Sequence, residues 1–214
     1  MLDNIPLFSG LQTDELSRLS NRAVIHSYPK NTIVMNQGDE GNSLHVIVSG
    51  KVKVFLSNED GKEIILNTEG PGEYFGEMAL LDSEPRSASV ITVEPSKMAI
   101  ISKSDFESFL HESPQTTLKI LQHTLSRLRA LTETVSSLAL LDVYGRVARL
   151  LLQAAKEEDG VNIVKLEMTQ QEIANHIGSS REMVSRILKD LKTGGYIEQK
   201  GKQIILRQTL PHAW

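Results

Sequence analysis

Four residues of complementary chemistry stand close together between Tyr74 and Ala88: Gly76, Glu77, Arg86 and Ser87. A glycine lets backbone amides approach an anion, an arginine offers a forked cation, a serine adds a hydroxyl donor, and a glutamate can accept from a hydroxyl. Together they suit a small oxyanion such as a phosphodiester. Taken singly, Arg86 also fits a surface ion pair with Glu84, and Gly76 a plain turn.

A second constellation runs from Thr169 to Leu191. Thr169 with Glu172 three residues on forms a capping box ahead of a helix whose Ile173, Ala174 and Ile177 face inward. Gly178 permits a sharp turn, and Ser180 caps a second helix with Val184, Ile187, Leu188 and Leu191 on its inner side. Arg181, Glu182, Ser185, Arg186 and Lys189 are left outside. Such arginines can bridge guanine O6 and N7, and Glu182 can accept from a cytosine amino group, which suits a G- and C-containing half-site in the major groove. The alternative is the solvated face of a helical hairpin. A β-hairpin follows, with Lys200 and Lys202 astride its turn, well placed for phosphates.

These residues need elements to position them. Residues 5–19 space Leu7, Leu11, Leu16 and Leu19 helically. From Ala23 to Ile101 the pattern becomes short β-rich runs at 24–28, 32–35, 44–48, 51–56, 63–66, 88–93 and 98–101. Punctuation such as 37–42, Ser49-Gly50, the hairpin tip Asn58 to Gly61, and Gly70-Pro71-Gly72 separates them. About eight such strands predict a small barrel or jelly roll.

After a helical segment at 105–110 and a break at Pro114, residues 115–141 contain neither Gly nor Pro. Leu118, Leu121, Leu125, Leu128, Thr132, Val135 and Ala139 recur at alternating steps of three and four, the seam of a coiled coil. A helix of that length runs on the order of 40 Å, and a parallel homodimer explains it most economically. Ile120, Leu131 and Leu138 form a second stripe, which packing along the chain's own β domain would use. Asp142 caps a further helix at 143–155, which ends in a turn-forming run at 156–160, followed by a strand at 162–166. The expected architecture is α+β: an N-terminal double-stranded β-helix (jelly-roll) sensor at 1–113, a long dimerisation helix at 114–141, and a C-terminal winged helix-turn-helix at 142–214.

The motif Ser180 to Leu188 (Ser-Arg-Glu-x-Val-x-Arg-Ile-Leu), and the segment Leu138 to Arg146 ahead of it, resemble the CRP/FNR superfamily, the cyclic-AMP receptor protein and its relatives. Tyr74 to Ala88 is similar to that family's phosphate-binding cassette, and the resemblance spans nearly the whole chain. It implies a cyclic nucleotide effector held by Gly76, Glu77, Met78, Arg86 and Ser87, with Glu77 on a ribose hydroxyl, and no covalent cofactor. It implies an inverted-repeat DNA site read by Gln170, Ser180, Arg181, Glu182, Arg186, Lys200 and Lys202. The implied partners are double-stranded DNA, a second copy of the chain and RNA polymerase, with no membrane. Two departures matter. Where the cyclic-AMP-binding member has a Thr-Ser pair for adenine, this chain has Leu131 and Thr132: half of the pair is missing, and Thr132 is left to meet a base edge. The effector expected is still cyclic AMP first, with cyclic GMP and cyclic di-GMP next and a constitutive regulator as the rival. Gln170 replaces a phosphate-contacting Arg.

Composition fits a cytoplasmic regulator. The chain has no cysteine, which removes disulfides, thiol nucleophiles and cysteine-ligated metal or iron–sulfur sites. Net charge is −4, yet residues 143–214 carry 11 Lys+Arg against 8 Asp+Glu, while residues 1–142 carry 12 against 19. Only the C-terminal part is electrostatically suited to a polyanion. No stretch approaches the roughly 18 apolar residues of a membrane span. The six histidines, His26, His45, His111, His123, His176 and His212, show no His-x-His or His-Glu-x-x-His spacing, so neither a metal site nor a catalytic one is expected. Haem ligation by His26 or His45 is the remaining gas-sensor reading, which a colourless purified protein would exclude.

Overall fold

The structure is a computed structural model that describes residues 5, 17, 20–158, 161–165, 168–201 and 203–210. The helix expected at 5–19 and the residue Lys202 thus lie outside the described residues, apart from Ile5 and Ser17. The chain divides into two compact units, Met1–Leu56 with Ile65–Arg129, and Ser57–Ile64 with Ala130–Trp214.

The first unit is built on two four-stranded sheets. One has the order β1-β8-β3-β6, from β1 (Val24–Tyr28), β8 (Ser96–Ser102), β3 (Ser43–Ser49) and β6 (Tyr74–Phe75). The other has the order β2-β7-β4-β5, from β2 (Ile33–Met35), β7 (Ser89–Thr92), β4 (Val52–Ser57) and β5 (Glu63–Glu69). Met35, Val52 and Val90 of the second sheet share one buried cluster with Ile47, Phe75 and Met98 of the first, so the sheets pack face to face. The opposite face of the first sheet is covered as well: Leu44, Val46, Ala99 and Ile101 meet Phe106 and Phe109 of α2 (Lys103–Glu112) and Ile120 of α3 (Pro114–Leu140). This double burial explains why β3 reads as a continuous apolar run rather than an alternating one. β3 and β8 pair antiparallel, with Leu44 opposite Ile101. Helix α2 begins at Ser102, whose side chain accepts from the Asp105 amide.

Ile120 is 4% exposed, whereas Leu131 and Leu138, expected on the same inner stripe, are 41% and 37% exposed. That stripe is corrected: within the first unit α3 buries Ile120, and the less exposed positions after it, His123 and Arg127, are polar.

In the second unit, Asp142 caps α4 (Val143–Ala154) by accepting from the Gly145 amide at 2.7 Å. The expected turn at 156–160 is also corrected. Residues Ala155–Glu158 form β9, which pairs antiparallel with β10 (Val161–Lys165). The acidic run is tolerated because β9 is the edge strand of its four-stranded sheet, with β10 its one neighbour. Helices α5 (Gln170–Ile177) and α6 (Arg181–Thr193) precede the hairpin β11 (Ile197–Lys200) and β12 (Gln203–Leu206). One core joins them, with Val147 and Leu151 of α4, Ile173 and Ala174 of α5, Val184, Ile187 and Leu191 of α6, and Ile204. Among the described residues no helix is long and apolar enough to cross a membrane.

Candidate functional site

The cassette contains two short elements that have no periodic signal of their own, β6 and the single-turn helix α1 (Glu77–Leu81). Gly76 joins them with φ 87°, a left-handed conformation that favours glycine. A Cβ there would lie 2.5 Å from Arg86 Nη1 and 3.1 Å from the Ser43 carbonyl oxygen. A Cβ on Gly41 would collide with the Ala79 side chain and lie 3.3 Å from Arg86 Cζ. Two glycines thus form a slot for the Arg86 side chain.

Arg86 is 6% exposed and makes no ion pair with Glu84. Its Nη1 donates to the Gly76 carbonyl at 2.7 Å and its Nη2 to the Ser43 carbonyl at 2.8 Å. Burial lowers its pKa, while Glu77 and Asp39 push it back up. The guanidinium therefore ties the cassette turn to β3 and keeps N–H groups to spare. Ser87 is exposed, with only a 3.6 Å contact from its hydroxyl to Met78 Sδ, and Met78 is 49% exposed. His45, stacked on Phe75 at 5.2 Å, has its pKa lowered to about 4, by burial first and then by Arg86. It is a neutral wall of the site at physiological pH.

Glu77 is 3% exposed, and its carboxylate meets a residue that sequence reasoning missed. Arg127, on α3, donates from Nη1 to Glu77 at 2.6 Å and from Nη2 to Glu69 at 2.7 Å and the Tyr74 carbonyl at 2.6 Å. Burial opposes its charge, but the Glu77 and Glu69 carboxylates outweigh that and raise its pKa. The available signal was the run Thr116, Ile120, His123, Arg127, which keeps helical spacing on the face turned to the β-roll. Thr132 belongs to the second unit and Gly76, Glu77, Met78, Arg86 and Ser87 to the first.

The second constellation is assembled by local bonds. Thr169 and Glu172 make the reciprocal capping box, with Glu172 N–H to Thr169 Oγ1 at 3.2 Å and Thr169 N–H to Glu172 Oε2 at 2.6 Å. Gly178 takes φ 62°, and Ser180 accepts from the Met183 amide at 3.2 Å. Arg181, Glu182, Ser185, Arg186 and Lys189 are exposed along α6, and Gln170 is half-buried at the start of α5. Lys200 is exposed at the hairpin but leans on Glu198 at 3.2 Å, a carboxylate that Arg207 also holds. An exposed pair of this kind is worth little and yields readily to a phosphate.

Comparison with known proteins identifies both parts. Residues 25–113 match the family described as "Cyclic nucleotide-binding domain" and residues 145–209 the "Crp-like helix-turn-helix domain". The chain is 31% identical over 204 residues to the "CRP-like cAMP-activated global transcriptional regulator" of Mycobacterium tuberculosis, covering 94% of this chain and 91% of that protein. It is 35% identical over 189 residues to the "cAMP-activated global transcriptional regulator CRP" of Salmonella typhimurium, covering 86% and 90%. The solved structure of the c-di-GMP responsive global regulator CLP of Xanthomonas campestris superposes with a TM-score of 0.79 at 30% identity, covering 92% of this chain and all of that one.

A cyclic-nucleotide-binding β-roll joined to a DNA-binding helix-turn-helix defines a transcription regulator. The chain belongs to the CRP/FNR superfamily of such regulators.

Proposed function

We propose that this regulator is switched by a cyclic nucleotide, cyclic AMP first, held by Gly76, Glu77, Met78, Arg86 and Ser87, with Thr132 at the base. The observation that carries the reading is the slot between Gly41 and Gly76. It presents a buried guanidinium with unspent donors beside a left-handed turn at the start of α1. A phosphodiester is the ligand such a fork fits best. The two relatives named as cAMP-activated support cyclic AMP. A cyclic di-GMP reading draws on the likeness to CLP and on Leu131, which removes half of the polar pair expected for adenine.

The functional unit is a homodimer in this reading, with domains at 1–113, 114–141 and 142–214. Leu118, Leu121, Leu125 and Leu128 are 48–58% exposed in the single chain, and a second copy of α3 would cover them. Each α6 then enters one half-site of an inverted repeat. Arg181, Glu182 and Arg186 read bases, while Gln170, Ser180, Lys200 and Lys202 contact phosphates. Nucleotide shifts an existing equilibrium between binding-competent and incompetent dimers, and the bound dimer presents a surface to RNA polymerase. No catalytic step is assigned to any residue.

Calorimetric titration with cyclic AMP, cyclic GMP and cyclic di-GMP tests this, alongside operator binding with and without each. Micromolar binding of one nucleotide, weakened by Ser87→Ala and lost in Arg86→Ala, is the expected result. Operator affinity that is the same with and without every nucleotide refutes the switch and leaves a constitutive regulator.

A further inference from the structure

Beneath the cassette, more acid is buried than base. Arg127 is shared by Glu69 and Glu77, which are 1% and 3% exposed. Glu69 Oε1 accepts from Arg127 and from the Asn67 amide at 2.8 Å, but its Oε2 is buried with no donor. A third carboxyl, Glu73, stands four residues on in the turn before β6, and its Oε2 accepts from the Gly70 amide at 2.6 Å. An ionised carboxylate can only accept; a proton on Glu69 turns the orphaned oxygen into a hydroxyl and removes the excess charge of two buried carboxylates on one guanidinium.

We propose that Glu69 carries a proton in the interior of the β-roll, and that gaining or losing it sets how firmly Arg127 clasps helix α3 to the cassette. With the proton in place, Glu77 and the Tyr74 carbonyl hold the guanidinium and Glu69 contributes only a neutral oxygen. Without it, Glu69 adds a second ion pair through Nη2 while Glu77 keeps Nη1, and the clasp tightens. The groups facing this carboxyl are Glu73 in the turn before β6, Tyr74 on β6, Glu77 on α1, and His123 and Arg127 on α3. Burial and Arg127 disfavour a charge on His123, so it supplies no second cation, and burial raises the Tyr74 hydroxyl, with Glu77 adding to it, so it supplies no further anion. Burial raises the Glu69 carboxyl to about 7, Glu73 adds to the shift, and Arg127 opposes it. The 2.7 Å contact to Arg127 argues for an ionised Glu69, but that guanidinium already serves Glu77 and a carbonyl, and the burial and the second carboxyl prevail. The exchange would then fall within the physiological range.

The test needs no nucleotide and no DNA, so its failure is separate from failure of the functional reading above. Full-length protein labelled with ¹³C-glutamate is titrated by NMR from pH 5.5 to 8.5, following the side-chain carboxyl carbons together with the Arg127 Nε–Hε signal. One carboxyl is expected to titrate near neutral pH, with the Arg127 signal moving at the same midpoint. Glu69→Gln abolishes that titration, and Glu73→Gln lowers its midpoint. If every carboxyl titrates below pH 5.5, or the Arg127 signal does not follow, the proposal is overturned. The wild-type titration decides this even if Glu69→Gln fails to fold.

Discussion

Replacing Arg127 with alanine would strip from Glu69 and Glu77 the one side-chain cation bonded to both among the described residues. Three hydrogen bonds of 2.6–2.7 Å disappear, and Glu69 and Glu77, with side chains 2% and 3% exposed, are left facing each other across the hole. Removing one partner of a buried pair costs ~3–5 kcal/mol, because the remaining charge is neither solvated nor paired. Arg127 is itself 24% exposed at its side chain, so water enters the gap and the lower end, about 3 kcal/mol, is expected. The loss should be local to the first unit, so hydrogen exchange of β3 and β8 amides is the appropriate assay, in preference to a single global melt.

The pH dependence has a definite sign. Without the guanidinium both carboxylates are driven toward their protonated forms, so the folded state binds more protons than the unfolded one. The added stability of protonation is present at low pH and lost as pH rises, and Arg127→Ala is therefore nearer to wild type at pH 5 than at pH 8. Glutamine at both 69 and 77 should restore much of the loss at pH 8. A penalty below about 1 kcal/mol, or one that grows as pH falls, would refute the account of this cluster.

Two further outcomes follow from the geometry. Gly76→Ala must adopt φ 87° and place a Cβ 2.5 Å from Arg86 Nη1; a loss of about 1–3 kcal/mol from the backbone strain, plus the displaced arginine, should appear as a lowered Tm of the β-roll, and an unchanged Tm would mean the slot is not rigid. On DNA, Arg186→Ala should cost ~1–3 kcal/mol and relax the preference at one base pair, whereas Lys200→Ala should weaken all sequences alike and reduce the salt slope by about one. Equal loss on operator and random DNA for Arg186→Ala would show that α6 does not read bases.

Features with local causes were legible in the sequence. The capping box at Thr169 and Glu172, the left-handed Gly178, the Ser180 cap and the split of α6 into inner and outer faces depend on residues three or four apart. Features that depend on distant partners were not. β9 is a strand because β10 lies beside it, although its Lys and Glu residues carry little strand propensity. β6 has two residues and borrows its form from β3, with His45 opposite Phe75. Arg127 reads as an ordinary solvated arginine until Glu69 and Glu77 are brought to it from fifty or more positions away. The Arg86 environment was partly readable: its proximity to Gly76 was visible in the motif, but Ser43 and Gly41 lie in an unrelated turn and strand.

Gly41, Gly76 and Arg86 also constrain one another as a set. Gly76 could accept a side chain only if the arginine withdrew, leaving the carbonyls of Ser43 and Gly76 without their donor, and Gly41 only if Ala79 moved and the arginine gave way as well. Neutral drift through these positions one at a time is therefore blocked. Lineages that keep the arginine should keep both glycines, and those that abandon anion sensing should be free to lose Arg86 and Gly76 together, with Gly41 still held by Ala79.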